Sequence, residues 1–237
     1  MAEPQLPSFE LSEELHKEVV QLARVYRREA EKCLDSKAFL AGCMMIGAAL
    51  EALLLAFVNC YPDEASTSQA APRRKGSVKP VFKWSLADLL AVAKERGWLH
   101  SGLSLDDEWD DARAQIGDYG EVIRRIRNLV HPARYVSDFP RKRITACYLE
   151  SCFEILEVAI DYLQNKIEGS IREAIERDPE EMRVCKSNIG ARSGVVDKLG
   201  SAGPFIACTP VPLQGHQAAC FAPTRKAGCS SAPIGSW

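Results

Sequence analysis

From Lys37 to Cys60 the chain reads KAFLAGCMMIGAALEALLLAFVNC. Phe39, Leu40, Met44, Met45, Ile46, Leu50, Leu53, Leu54, Leu55, Phe57 and Val58 fall on every side of a helix wound through this stretch. A helix that is apolar all round is buried all round, so it is either the centre of a bundle or half of a dimer core. Its length also suits a membrane span, for which about 20 apolar residues suffice. Glu51 argues against that reading, because a carboxylate deep in the segment costs several kcal/mol in lipid. Gly42, Gly47, Ala41, Ala48, Ala49 and Ala52 instead permit close approach of neighbouring helices. The stretch predicts the central helix of an all-α domain, with no membrane as a partner.

Amphipathic patterns flank it. Val19, Ala23, Tyr26, Ala30 and Cys33 form an i, i+4, i+7, i+11, i+14 stripe over residues 12–34, and Asp35-Ser36 supplies a turn. Residues 62–83 contain Pro62, Pro72, Gly76 and Pro80 together with Arg73, Arg74, Lys75, Lys79 and Lys83, and predict an exposed basic loop. Ser85 with Asp88 resembles an N-cap and first-turn acid opening a short helix that stops at Gly97. Residues 105–131 predict a further helix with a weak point at Gly117 and Gly120. Leu149, Cys152, Phe153, Leu156, Ile160 and Leu163 mark the inner stripe of a long helix over Ile144–Ile175. Residues 1–10 read as an N-terminal extension, 11–178 as a helical bundle, and 179–237 as a disordered tail, since the last segment lacks the periodicity that repays ordering entropy.

The 237 residues carry 30 Lys+Arg against 32 Asp+Glu, a formal charge of -2. That balance offers no bulk attraction to nucleic acid, so any such binding needs a local patch. Nine cysteines suggest a disulfide framework only in a short secreted chain. No basic, apolar leader opens this one, and Cys33, Cys43, Cys60, Cys147 and Cys152 lie in apolar helical patterns as small hydrophobes. A cytoplasmic location is expected. Without a C-x-x-C pair or clustered histidines, no metal site and no cofactor are expected.

Chemistry concentrates at Glu121-Val122-Ile123-Arg124-Arg125-Ile126-Arg127-Asn128-Leu129-Val130-His131-Pro132. At about 100° per residue, Val122, Ile123, Ile126, Leu129 and Val130 share one side, and Arg124, Arg127, Asn128 and His131 form a ridge on the other. Pro132 disfavours helical geometry at His131, which therefore stands at or beside a helix end. The ridge joins the side chain that exchanges protons near neutral pH to those best suited to phosphate. A solvated helix face, with His131 favoured by the dipole at a helix C-terminus, accounts for the same residues without chemistry.

The run Arg127-Asn128-Leu129-Val130-His131-Pro132 resembles the signature of the HEPN superfamily (higher eukaryotes and prokaryotes nucleotide-binding), in which an Arg and a polar residue precede a His near a helix end. The order of elements over roughly residues 10–170 is similar too: a two-faced helix, the Ala-rich helix around Gly47-Ala48-Ala49-Leu50-Glu51, a short helix, the motif helix and a long closing helix. The resemblance implies an up-and-down bundle of four to five helices that dimerises with two motifs facing one cleft. Many members are metal-independent endoribonucleases, often toxins or defence effectors, and others are inactive scaffolds. Arg127 leaves three residues before His131, Arg125 five and Arg124 six. The family's usual spacing is the longer one. Arg127 is selected for its neighbour Asn128 and the face it shares with His131.

On that resemblance, His131 is the general acid or base, Arg127 grips phosphate with Arg124 in reserve, and Asn128 holds the imidazole or the phosphate. Arg73, Arg74 and Lys75 steer RNA towards the site. Glu51 either lines it or pairs with a motif arginine. The implied partners are RNA, a second copy of the chain, and an antitoxin or nucleotidyltransferase. The alternative is a catalytically inactive HEPN-like module that binds nucleotide, RNA or a partner protein.

Overall fold

The computed structural model describes residues 9–104, 107–138 and 143–177, and the expected disordered tail at 179–237 lies outside them. The chain is mostly helical: α1 (Glu13–Asp35), α2 (Phe39–Cys60), α3 (Pro62–Thr67), α4 (Leu86–Glu95), α5 (Ile116–Arg127), α6 (Pro132–Asp138) and α7 (Ala146–Arg177). A two-stranded hairpin, β1 (Arg73–Arg74) with β2 (Ser77–Val78), is the one sheet among the described residues. The all-α expectation holds at that level.

Helix α2 is the axis of a helical bundle, packed against α1, α4, α5 and α7. Its Ala, Leu and Met content favours helix locally. Tertiary burial does the rest, with Cys43, Ile46, Leu50, Leu54 and Val58 essentially out of water. It is the one described helix long and apolar enough to cross a membrane, and two-thirds of its apolar window, 67%, is buried in the bundle. Burial is not complete: Ala41 is exposed and Met44, Ala48, Glu51 and Leu55 are half-buried along one line.

Ser12 caps α1, its hydroxyl accepting from the Leu15 N–H. The turn into α2 places Lys37 at φ 61°, and the Ala38 N–H returns to the Cys33 carbonyl at 2.8 Å. This tight reversal makes α1 and α2 an antiparallel pair. Pro62 disfavours helix at Tyr61 and ends α2 there. On α7, Leu149, Cys152, Leu156, Ile160 and Leu163 are buried as expected, while Phe153 is half-buried.

Four expectations need correction. The N-terminal extension does not run through residue 10, because the Phe9 ring packs 5.7 Å from Trp84 and its carbonyl accepts the Val81 N–H. The segment 62–83, expected as an exposed basic loop, is exposed at residues 73–77 but contains α3, the hairpin and a 3-10 turn at Val81–Lys83, with Ala65, Ser68, Ala71 and Val81 buried. The motif helix starts at Ile116 rather than near residue 105. There Asp107 accepts from the Ser104 N–H and Asp110 from the Ala112 N–H, side-chain bonds that compete with a helical ladder. Val130, assigned to the apolar side, is 49% exposed, because regular helix has already given way to a 3-10 turn.

Candidate functional site

Helix α5 begins with a cap that also ties down the preceding chain. The Gln115 N–H donates to Asp118 Oδ2 at 3.0 Å, and the Asp118 carboxylate further accepts from Ser101 Oγ at 2.5 Å and the Gly102 N–H at 2.8 Å. Lys94 Nζ stands 3.2 Å away. Burial by itself raises this carboxyl, but the bonds from Ser101, Gln115 and Gly102 and the Lys94 ammonium outweigh it and hold Asp118 below the ordinary aspartate value. Gly117 and Gly120 are not weak points. They are contact points, where an added Cβ would lie 2.8 Å from the His100 carbonyl and from Leu90 Cδ2 respectively.

At its other end α5 crosses α2 over Gly47. A Cβ on Gly47 would fall 2.9 Å from Arg127 Cβ, so the glycine is what lets Arg127 lie against the central helix. One turn further along α2, Glu51 meets it: Arg127 Nη2 is 2.7 Å from Glu51 Oε2. The pair remains in partial contact with water, the side chains being 33% and 22% exposed. Of the two alternatives for Glu51, the pairing with a motif arginine is the one found. Arg124 is likewise engaged, with its Nε 2.5 Å from Glu121 Oε2.

Residues Asn128–Val130 tighten into a 3-10 turn, and His131 follows in extended geometry with φ -81° and ψ 116°. In a 3-10 turn positions i and i+3 eclipse, which keeps Asn128 and His131 on a common side. The His131 N–H donates to the Asn128 carbonyl at 3.1 Å, and the His131 carbonyl accepts from the Tyr135 N–H at 3.0 Å. His131 is therefore a hinge between the 3-10 turn and α6, with Pro132 as the first residue of that helix. Sequence reasoning expected a helix end here but not a second helix directly after it, so the dipole argument for His131 loses force: a helix C-terminus and a helix N-terminus flank it. The His131 imidazole is exposed and Asn128 half-buried, and neither side chain bonds to another described residue.

The structure thus brings Arg127 and Glu51 together on α2, with Asn128 and His131 following on the adjoining 3-10 turn. It does not bring Arg73, Arg74 and Lys75 there. These lie on the hairpin, whose following 3-10 turn packs on α2 near its C-terminal end, where Asn59 accepts from the Leu11 N–H. Glu51 and Gly47 precede Asn59 by eight and twelve residues, or roughly 12–18 Å of helix rise. Arg73 is also partly committed, its Nη2 donating to the Ser66 carbonyl at 3.1 Å. Sequence reasoning named Gly47 as a point of close helix approach but missed Arg127 as the residue that approaches it. It also missed the half-exposed Phe82 beside the basic hairpin. The glycine in an otherwise Ala- and Leu-rich helix was the available signal for the first.

Among the described residues no group of three or more His, Cys, Asp and Glu is arranged to hold a metal ion. Neither family models, nor curated proteins, nor solved structures gave a match to this chain.

Proposed function

We propose that this chain is a metal-independent endoribonuclease of HEPN type that works as a cytoplasmic homodimer, with Arg127, Asn128 and His131 at its centre. The observation that carries the reading is the pairing of a fixed cation with unengaged polar groups. Arg127 is anchored on Gly47 and Glu51, while the adjoining Asn128 carboxamide and His131 imidazole have no partner among the described residues. Metal-free cleavage needs that combination. His131 takes the proton of a ribose 2′-hydroxyl as its oxygen attacks phosphorus. The P–O5′ bond breaks, and the departing oxygen collects a proton from the second subunit's imidazole. Arg127 steadies the non-bridging oxygens with the donors that Glu51 leaves unused.

A second copy is supported by what surrounds the site. Val130 and Val136 are 49% and 73% exposed, and Met44 and Ala48 are half-buried along α2. Apolar surface of this kind beside a polar ridge suits an interface between copies. In such a dimer the role of toxin or defence effector, with an antitoxin or nucleotidyltransferase as partner, belongs to the same resemblance.

The decisive assay incubates labelled RNA with purified protein in EDTA. Cleavage by the wild type and its loss in His131→Ala and in Arg127→Ala support the reading, whereas tight binding without cleavage overturns it. That second outcome corresponds to an inactive RNA- or partner-binding module. One observation favours it: both Arg124 and Arg127 already face carboxylates, so phosphate must compete for them.

A further inference from the structure

Between Glu64 and Asp88 the chain has no acidic residue, yet it carries Arg73, Arg74, Lys75, Lys79 and Lys83. Arg74, Lys75, Lys79 and Lys83 pair with no carboxylate among the described residues. In a floppy linker such charges would simply be solvated. Here they stand on a pinned support. The Lys79 N–H donates to the Pro72 carbonyl at 2.9 Å, and the indole N–H of buried Trp84 donates to the Lys79 carbonyl at 2.9 Å. Glu95 accepts from the Gln69 and Ala70 N–H groups and from Ser68 Oγ, fixing the strand's approach. At the tip, Lys75 and Gly76 take φ values of 52° and 84°, the double left-handed turn that matches the twist of a two-residue hairpin.

Phe82 is the second observation. Its neighbours Val81 and Trp84 are 1% and 4% exposed, so the backbone is fixed, while the Phe82 ring remains 49% exposed between Lys79 and Lys83 in sequence. An outward aromatic face among unpaired cations is the chemistry of a base-stacking platform on an electrostatic track. A double helix hides its base faces, whereas every unpaired base presents a flat face to the ring.

We infer that the hairpin Arg73–Val78 and Phe82 form a docking arm for single-stranded RNA, with Arg74, Lys75 and Lys79 on phosphates and Phe82 stacked on a base. The inference deepens the proposed function and rests on it for the choice of RNA as the polyanion. The arm stands apart from the Arg127–Glu51 contact, so it selects unpaired substrate rather than performing chemistry.

Fluorescence anisotropy tests it with labelled oligouridylate of about a dozen nucleotides, within the usual site size of such platforms. Labelled heparin serves as a polyanion without bases, and phosphatidylserine vesicles as an anionic surface. Phe82→Ala is expected to weaken oligouridylate binding roughly 5- to 100-fold and to leave heparin binding unchanged. Replacing Arg74, Lys75 and Lys79 together by Ala should weaken both ligands and flatten the slope of log K against log salt by about 2. Phe82, Arg74 and Lys75 are exposed and Lys79 is half-buried, and thermal melts of both variants should coincide with wild type. Absence of oligouridylate binding, an unchanged affinity in Phe82→Ala, equal losses for oligouridylate and heparin, or preferential binding to vesicles would each overturn the arm. Phe82-dependent binding without cleavage retains the arm and refutes the nuclease; cleavage without Phe82-dependent binding does the reverse.

Discussion

Arg127 Nη2 stands 2.7 Å from Glu51 Oε2, so the motif helix and the central helix meet through one cation and one carboxylate. With both side chains partly in water, the pair adds only about 0–1 kcal/mol to stability. Its larger effect is on a third charge. Glu51→Gln should leave thermal stability nearly unchanged while tightening RNA binding roughly 3- to 10-fold, because a negative charge within several ångströms of the phosphate is removed. Binding titrations at low salt read this directly. Unchanged affinity would mean that phosphate does not approach Arg127.

Two glycines on helices should respond oppositely to the same substitution. Gly47→Ala puts a methyl 2.9 Å from Arg127 Cβ, an atom that moves only if α5 moves. We expect a loss of about 1–3 kcal/mol in urea denaturation, with RNA cleavage reduced as Arg127 is displaced. Gly169, on α7, has nothing within 4 Å of its added Cβ, so Gly169→Ala should gain about 0.5–1 kcal/mol from helix propensity.

These contrasts explain what the sequence made legible. The apolar run of α2, the i, i+4 stripe of α1 and the inner stripe of α7 are periodic, and periodic burial can be read without coordinates. The start of α5 could not be read so, because Asp107 and Asp110 bond locally to backbone groups and end a pattern that composition alone leaves open. At the site, helical spacing reaches only as far as Arg127, because residues 128–130 tighten into a 3-10 turn and His131 follows in extended geometry. Glu51 was one of two alternatives, since i-to-j contacts between helices depend on a crossing point. That crossing is set by Gly47, whose missing side chain carries no periodic signal. The hairpin was hidden for a similar reason: two-residue strands are too short for alternation to show.

Asp118 gives the fold a defined acid limb. Its folded pKa is depressed, so its contribution is fully present above the unfolded value near 3.9 and is lost as pH falls through the folded value. Asp118→Asn keeps the shape but turns an amide donor towards Ser101, Gln115 and Gly102. It should cost about 2–4 kcal/mol at neutral pH. The gap between variant and wild type should then shrink below about pH 4. Urea titrations across that range check both statements, and a gap that widened in acid would refute the assignment.

Cys43 and Cys152 bring their sulfurs to 3.9 Å in the contact between α2 and α7. The neighbouring Cys43 thiol and then burial push the Cys152 thiol well up, which disfavours the reactive thiolate. In the native protein these two should label with iodoacetamide far more slowly than the half-buried Cys33, Cys60 and Cys147. Mass mapping of partially alkylated protein tests the order. Early modification of Cys152 would contradict the buried packing of α7.

The proposed activity requires that His131 and Arg127 cut RNA through its own 2′-hydroxyl. The most direct measurement is mass-spectrometric analysis of the ends produced when RNA is incubated with the purified protein in EDTA. The account predicts 2′,3′-cyclic phosphate and 5′-hydroxyl ends, absent with His131→Ala and absent where a 2′-deoxy residue replaces the attacking ribose. Intact RNA at stoichiometric protein, or identical cleavage by His131→Ala, would contradict it.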